Sequence, residues 1–291
     1  MAQDQTKRIR RITDSIISLP TLPTVIAKML ELVDNPKTSA SALSNLVMRD
    51  QVLTAKILKM ANSSFYAFPR QIATVKLALV VLGFENVKEM ALSLSVLNTF
   101  KGENNKHFDT SLFWQHSIAV GACTRMLARE TCYRLVGEAF VAGLLHDIGK
   151  VVLNQYLPTE FAKIQSMIFE EGKSTEDAEI TVLGVTHAEV GSWLAERWNL
   201  PEILVDAIKH HMHPELCPRN PELALMVYLA DYLSTKCSLG QSGSRGIEIV
   251  PEVVLELAQS TLSITPDTLE VFRSNLYAEY DKASSFMTEA V

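Results

Sequence analysis

The sequence predicts an all-α fold in which an N-terminal helical lobe packs on a larger helical core. Three observations carry that reading. Glycine and proline number only 12 and 11 in 291 residues, too few for a chain of short strands and tight turns. Apolar residues recur at helical spacing in one segment after another, and no segment needs the two-residue alternation of a strand. Hydrophobic residues make up 47 % and charged residues 21 % of the chain, the balance of a globular protein with a sizeable core.

The elements follow in order. Thr24 to Val33 carries Val25, Met29, Leu32 and Val33 on one face, led in by Pro23 and closed by Asp34-Asn35-Pro36. Leu19, Leu22, Val25 and Met29 are expected to be buried there, with Pro20 and Pro23 fixing the approach. Ser39 to Arg49 follows, capped by Thr38 or Ser39, with Leu43, Leu46 and Val47 inward. Val52 to Asn62 turns Leu53, Ile57 and Met60 inward. Thr74 caps a helix through Leu82, and Gly83 suits the residue after it. Asn86 to Phe100 completes the first lobe, and the polar stretch Lys101 to Asp109 marks the internal boundary.

The second part repeats the theme. Helices are expected at Thr110–Glu130, Gly137–His146, Pro158–Glu171, Ser174–Gly184, Thr186–Trp198, Pro201–His210 and Pro221–Thr235. Proline or an acidic residue in the first turn suits several of these starts. Lys236 to Gly246, rich in Ser and Gly, breaks the series before Pro251–Gln259 and Pro266–Met287 close the chain. The expected division is a lobe at 1–104, a core carrying a candidate site at 105–236, and closing helices at 237–291.

Bulk properties exclude several classes. A net charge of −6 gives no nucleic-acid footprint. The basic cluster Lys7, Arg8, Arg10 and Arg11 reads as the solvated face of a first helix. No apolar run reaches the roughly 18 residues that cross a bilayer, and no early stretch has a signal-peptide core. Cys123, Cys132, Cys217 and Cys237 form no C-x-x-C pair and no disulfide framework, which suits reduced thiols in a cytoplasm.

Six of the seven histidines lie after residue 110. His116 sits in LFWQHSIAVG, His146 and Asp147 in GLLHDIGKVV, His187 in VTHAEVG, and His210 and His211 in IKHHMHPE. Each alone is more often a hydrogen-bonded core histidine than a ligand. Asp231, inside LMVYLADYLS, is harder to dismiss, because a buried carboxylate needs a cation, a metal or a hydrogen-bond network. Together, separate helices offer imidazole and carboxylate, a set suited to a divalent transition metal rather than to Mg or Ca. Asp147 can bridge two ions while His146 binds one, and two ions about 3.5–4 Å apart can activate water and clamp a phosphoryl group. Lys150, one turn on, either meets a substrate phosphate at the rim or is a solvated lysine at a helix end. His213 and Cys217 with His210 suggest a small zinc site lacking an evident fourth ligand. His107 reads as solvent-exposed. The loop Phe65-Tyr66-Ala67-Phe68-Pro69 is either a partner-binding patch or a plug between lobes.

The ordered series His, His-Asp, His, His-His, Asp resembles the HD-domain superfamily of metal-dependent phosphohydrolases. The strings HDIGK and HH resemble its HD-GYP branch. The segments LPTLPTVIAKMLELVDNP, VMRDQVLTAKILKMANSSFYAFPRQIATVKLALVVLGFENVKEMAL and WQHSIAVG are similar to the HDOD domain, a bacterial signalling output module related to HD domains. The resemblance runs from about residue 15 to about residue 215. It implies an HD-type helical core. HDOD domains generally have lost several metal ligands, and many are taken to be non-catalytic. This chain keeps His116, His146, Asp147, His187, His210 or His211, and Asp231. It lacks an acidic residue straight after the doublet and has no Gly-Tyr-Pro loop, which departs from the branch that hydrolyses cyclic di-GMP.

Two functions follow from that resemblance. One is a phosphohydrolase or phosphodiesterase on a nucleotide or phosphoester, with Asp147 and Lys150 as catalytic residues and two divalent ions of iron, manganese, nickel or zinc. The other is a non-catalytic signalling scaffold with a structural or vestigial metal site and a signalling protein as partner.

Overall fold

The computed structural model describes residues 21–33, 35–100 and 104–290, with the side chains of 98 and 285–290 excepted. Leu19, Pro20 and the N-terminal basic cluster lie outside the described residues. The first lobe comprises α1 (Thr24–Val33), α2 (Ala40–Val47), α3 (Gln51–Ala61), α4 (Val75–Val81) and α5 (Phe84–Thr99). The core follows as α6 (Thr110–Glu130), α7 (Val136–Leu145), α8 (Ile148–Tyr156), α9 (Pro158–Phe169), α10 (Thr175–Val182), α11 (His187–Arg197), α12 (Glu202–His210) and α13 (Pro221–Lys236). The chain closes with α14 (Glu252–Leu262) and α15 (Pro266–Ala290). The described residues contain no strand, only an isolated bridge between Asn105 and Phe108.

Local chemistry sets several helix starts. The Ser39, Thr74 and Ser174 hydroxyls accept backbone N–H groups two or three residues on, and Asp50 and Asp109 carboxylates do the same for α3 and α6. Each such cap satisfies a donor that the first turn cannot pair internally. Two expectations shift. The inner face of α1 is Ile26, Met29 and Leu30, with Leu22 buried just before it, and Val25 is only half-buried. The segment Ile148–Tyr156 is a helix of its own, where none was expected.

The long helix α6 is the axis of the core. It is buried from Phe113 to Ala128 at nearly every position, and α7, α13 and α15 pack around it. The buried apolar residues form one continuous cluster from Leu22 to Ala283. The lobe joins this core through α5 on α7 and through α15 on α3. Phe65 belongs to that seam: its ring meets Phe140 of α7 edge-on with centroids 5.2 Å apart, and the Arg125 guanidinium lies 4.1 Å over it. Phe68, in the same loop, is 38 % exposed. His107 is half-buried rather than fully exposed, because its ring stacks on Phe169 at 5.1 Å and its Nε2 lies 3.4 Å from Glu170.

The seam also buries Glu89, whose carboxylate oxygens make no hydrogen bond. Burial, against the pull of Arg125, raises it from 4.5 to about 8. The folded state then holds this proton more tightly than the unfolded chain does. Stability contributed by protonated Glu89 is full below about pH 4.5 and is lost as pH rises toward 8. Glu89→Gln should therefore flatten the decline in melting temperature between pH 5 and 8 and stabilise the protein at the upper end. Parallel melting curves for wild type and variant across that range would assign the decline to other groups.

Candidate metal centre

The His146-Asp147 pair sits at a break between two helices. His146 still has α-helical angles at the end of α7 (φ −50°, ψ −42°), whereas Asp147 leaves them (φ −100°, ψ 11°) before α8 begins at Ile148. The chain therefore turns at the pair and presents both side chains inward. Gly149 lets α8 lie against the start of α11: a Cβ there would stand 1.9 Å from the His187 carbonyl oxygen. A capping box between Thr186 and Glu189 begins α11 at His187 itself. His211 caps the end of α12, His116 lies within α6, and Asp231 lies within α13.

These elements converge on one carboxylate. Asp147 Oδ1 lies 2.9 Å from His187 Nε2 and 3.4 Å from His211 Nε2. Its Oδ2 lies 3.3 Å from His146 Nε2 and accepts a 2.7 Å hydrogen bond from Lys150 Nζ. His116 Nε2 stands 3.0 Å from Asp231 Oδ1. His116, His146, Asp147, His187 and His211 are all buried, and the Asp231 side chain is 17 % exposed.

The far side of each ring decides what the near side offers. The Nδ1–H of His146 donates to the Gly143 carbonyl at 2.7 Å, and that of His211 to the Ile208 carbonyl at 2.8 Å. A carbonyl can only accept, so these Nδ1 atoms carry the proton. His187 Nδ1 is held in the same way by the buried Glu179 carboxylate at 2.8 Å. The three Nε2 atoms are thus aimed inward with their rings locked, the arrangement in which outer partners orient metal-ligating histidines.

The protonation behaviour of the bare groups agrees with a cation-demanding site. Burial raises the Asp147 carboxyl, but His146, Lys150 and His187 outweigh it and hold it well below its ordinary range. Burial lowers His187, but Glu179 and Asp147 outweigh it and hold it at about 9. Its Nε2–H then donates to the Nε2 of His211 at 3.3 Å and lies 2.9 Å from Asp147 Oδ1, beside the position a divalent cation would take. His211 is pushed down by burial and stays neutral.

A metal fits these residues. His116 Nε2, His146 Nε2 and Asp147 Oδ1 are buried yet make no aligned hydrogen bond. Ligand atoms sharing an ion at about 2.0–2.2 Å stand roughly 3 Å apart, and the approaches above have that spacing. Among the described residues, two groups within 4.8 Å have ligand character, His116-His146-Asp147 and Asp147-His187-His211, and Asp147 is common to both.

Some expected members fall elsewhere. His211 reaches the cluster and His210 does not: one position of helical rotation separates them, and His210 is left half-buried. Lys150 is neither at the rim nor at a helix C-terminus. It lies buried in the first turn of α8, bonded to Asp147 and at 2.7 Å to the Ser244 hydroxyl. His213 engages Glu176 and Glu215, and neither it nor Cys217 joins a ligand group among the described residues. Glu179 and Ser244 were not anticipated. Glu179 left a faint signal, a carboxylate on the face of α10 shared with buried Ala178 and Val182. A cavity of about 470 Å³ opens above the cluster, lined by Asp147, Lys150, His187, His211, Asp231 and the 244–248 segment among others.

The HDOD domain model matches residues 19–214. The chain belongs to the HDOD family. An HDOD domain protein of unknown function from Geobacter sulfurreducens has 26 % sequence identity and a TM-score of 0.77, over 97 % of this chain and 98 % of that one. A protein provisionally named a phosphohydrolase, from Shewanella amazonensis SB2B, shares the fold at 24 % identity and a TM-score of 0.75, over 97 % and 98 % of the two chains. A provisionally named signal transduction protein from Marinobacter aquaeolei VT8 shares it at 22 % identity and 0.77, over 99 % and 66 %. An uncharacterized protein of Treponema pallidum is 25 % identical over 218 residues, 75 % of this chain, and the chain spans 41 % of that relative. The HDOD match ends at 214, so Asp231 and the cavity wall at 244–248 come from beyond it.

Gly149→Ala should separate α8 from α11. Forcing a methyl into that contact should cost about 3 kcal/mol or more and lower metal retention along with melting temperature. An unchanged melting temperature would mean that the two helices do not approach as closely as described.

Proposed function

We propose that this HDOD protein holds divalent transition metal in the Asp147 cluster and hydrolyses a phosphoester or nucleotide within a bacterial signalling pathway. The observation that supports the reading is the set of inward Nε2 atoms around one buried carboxylate, with their Nδ1 atoms tied behind. His116, His146 and Asp231 would hold one ion, His187 and His211 the other, and Asp147 both. Iron, manganese, nickel and zinc all suit imidazole and carboxylate. When bound, such ions supply Lewis acidity and a nucleophile at neutral pH.

The chain's own residues supply the rest. Lys150, bonded to Asp147 and Ser244, has a third N–H for a phosphate oxygen in the cavity. Asp147 holds that ammonium in position, and Glu179 keeps His187 oriented. The four cysteines are unpaired thiols, which suits a cytoplasmic setting. No described helix is long and apolar enough to cross a membrane. The lobe at 1–104 would serve as the surface facing a signalling partner.

A second reading has its own support. The Lys150 ammonium already gives Asp147 a cation at 2.7 Å, so a non-catalytic signalling module could keep this cluster without an ion.

Asp147→Asn separates the two. Protein purified without chelators should contain metal and cleave bis(p-nitrophenyl) phosphate. The variant, of the same size, should remain folded at a lower melting temperature, lose most of the metal and lose the cleavage. His213→Ala and His107→Ala should leave metal content alone. Metal without turnover would leave the site and remove the enzyme, and the absence of metal from wild type would favour the scaffold.

A further inference from the structure

The chain from Ser244 to Glu248 lines one wall of the cavity, and the backbone leading into it from Gly240 is fixed at several points. Gly240 has φ +72°, and a Cβ there would stand 2.3 Å from the His116 backbone nitrogen. The next residue, Gln241, donates its N–H to the Leu112 carbonyl on α6 at 3.0 Å. Gly243 has φ +70° with its would-be Cβ 2.7 Å from the Phe108 ring, and its carbonyl accepts a 3.0 Å bond from buried Gln165. A side chain at either glycine would meet both an unfavourable backbone region and a collision. The strap is therefore held against the helix that carries His116, with Ser242 buried beneath it.

That fixed backbone delivers two consecutive side chains to the cavity. The Ser244 hydroxyl accepts from Lys150 Nζ, deep in the site. Arg245 lines the cavity nearer its mouth, where one N–H donates to the Phe169 carbonyl at 3.3 Å. A Cβ on Gly172 would lie 3.7 Å from the Arg245 guanidinium, and Lys173 follows on that turn and also lines the cavity. Cationic groups thus occupy two levels, Lys150 at the floor and Arg245 with Lys173 above. The wall also carries Glu176 and Glu248, and the Glu176 carboxylate is taken up by His213 at 3.0 Å.

We propose that the 240–248 strap is the specificity wall of this site, with Arg245 recognising a second anionic group on a ligand whose first phosphate lies at Lys150. The chemical class is a phosphate ester with two negative groups in succession, as in a nucleoside diphosphate. Ser244 is a positioning residue for Lys150. This rests on the functional reading above only for the location of the first phosphate. A guanidinium suits the outer position because its planar donors grip a phosphate from the side.

The test is calorimetric titration of the full-length protein, as purified, with AMP and with ADP, and with metal content measured on every sample. Wild type should bind ADP more tightly than AMP. Arg245→Ala should weaken ADP about tenfold or more while AMP changes little, so that the preference collapses. Ser244→Ala should weaken both ligands. Arg273→Ala, an arginine paired with Glu270 on α15, should change neither. Metal content should be equal throughout. Equal binding of AMP and ADP by wild type, no measurable binding of either, or an ADP preference that survives Arg245→Ala would each overturn the wall. Metal content answers separately for the Asp147 cluster: absence of metal from wild type would undo that reading whether or not the ADP preference is found.

Discussion

The structure depends on one buried carboxylate. Asp147 faces His146, His187 and His211 across 2.9 to 3.4 Å and the Lys150 ammonium at 2.7 Å. In an apolar core an uncompensated carboxylate is costly, so its surroundings must supply positive charge. Much of the nearby architecture answers that need. The α7–α8 break presents the group, Gly149 admits the helix that carries His187, and α12 ends where His211 can reach. Removing the carboxylate would leave the buried Lys150 ammonium with the Ser244 hydroxyl and no counter-charge.

Orientation matters as much as proximity. The Nδ1 atoms of three imidazoles are already committed to Gly143, Glu179 and Ile208. That commitment costs the protein nothing extra at the moment a ligand arrives, because the rings need not turn. It also explains why Glu179 is buried: a helix face otherwise packed with Ala178 and Val182 carries a carboxylate whose partner is a ring rather than water.

Much of the fold could be read before the structure, for local reasons. The caps Ser39, Thr74, Ser174 and Thr186 announce helix starts because each acts within three residues of itself. The ligand series was legible because its members stand in a recurring order, even though their meeting is tertiary. What escaped was non-local. The helix from Ile148 was missed because His146-Asp147 reads as a helix end, and nothing in the adjacent residues says that a second helix starts at once. The choice of His211 over His210 depends on the rotation of α12 against its neighbours. Lys150 reads as meeting a phosphate at the rim or water at a helix end; Asp147 lies one turn away in sequence, but only the fold supplies Ser244 and the burial that holds the lysine inside. Glu179 and Ser244 reach their partners across 8 and 94 positions of sequence.

The central claim is that the inward Nε2 atoms and Asp147 together hold metal. Anomalous diffraction from crystals of protein purified without chelators, recorded across the absorption edges of iron, manganese, nickel and zinc, tests it most directly. The account predicts anomalous density between Asp147 and the surrounding Nε2 atoms, with Asp147 oxygens within bonding distance. A site free of anomalous density, with Lys150 still bridging Asp147 and Ser244 and His187 still bonded to His211, would contradict the account.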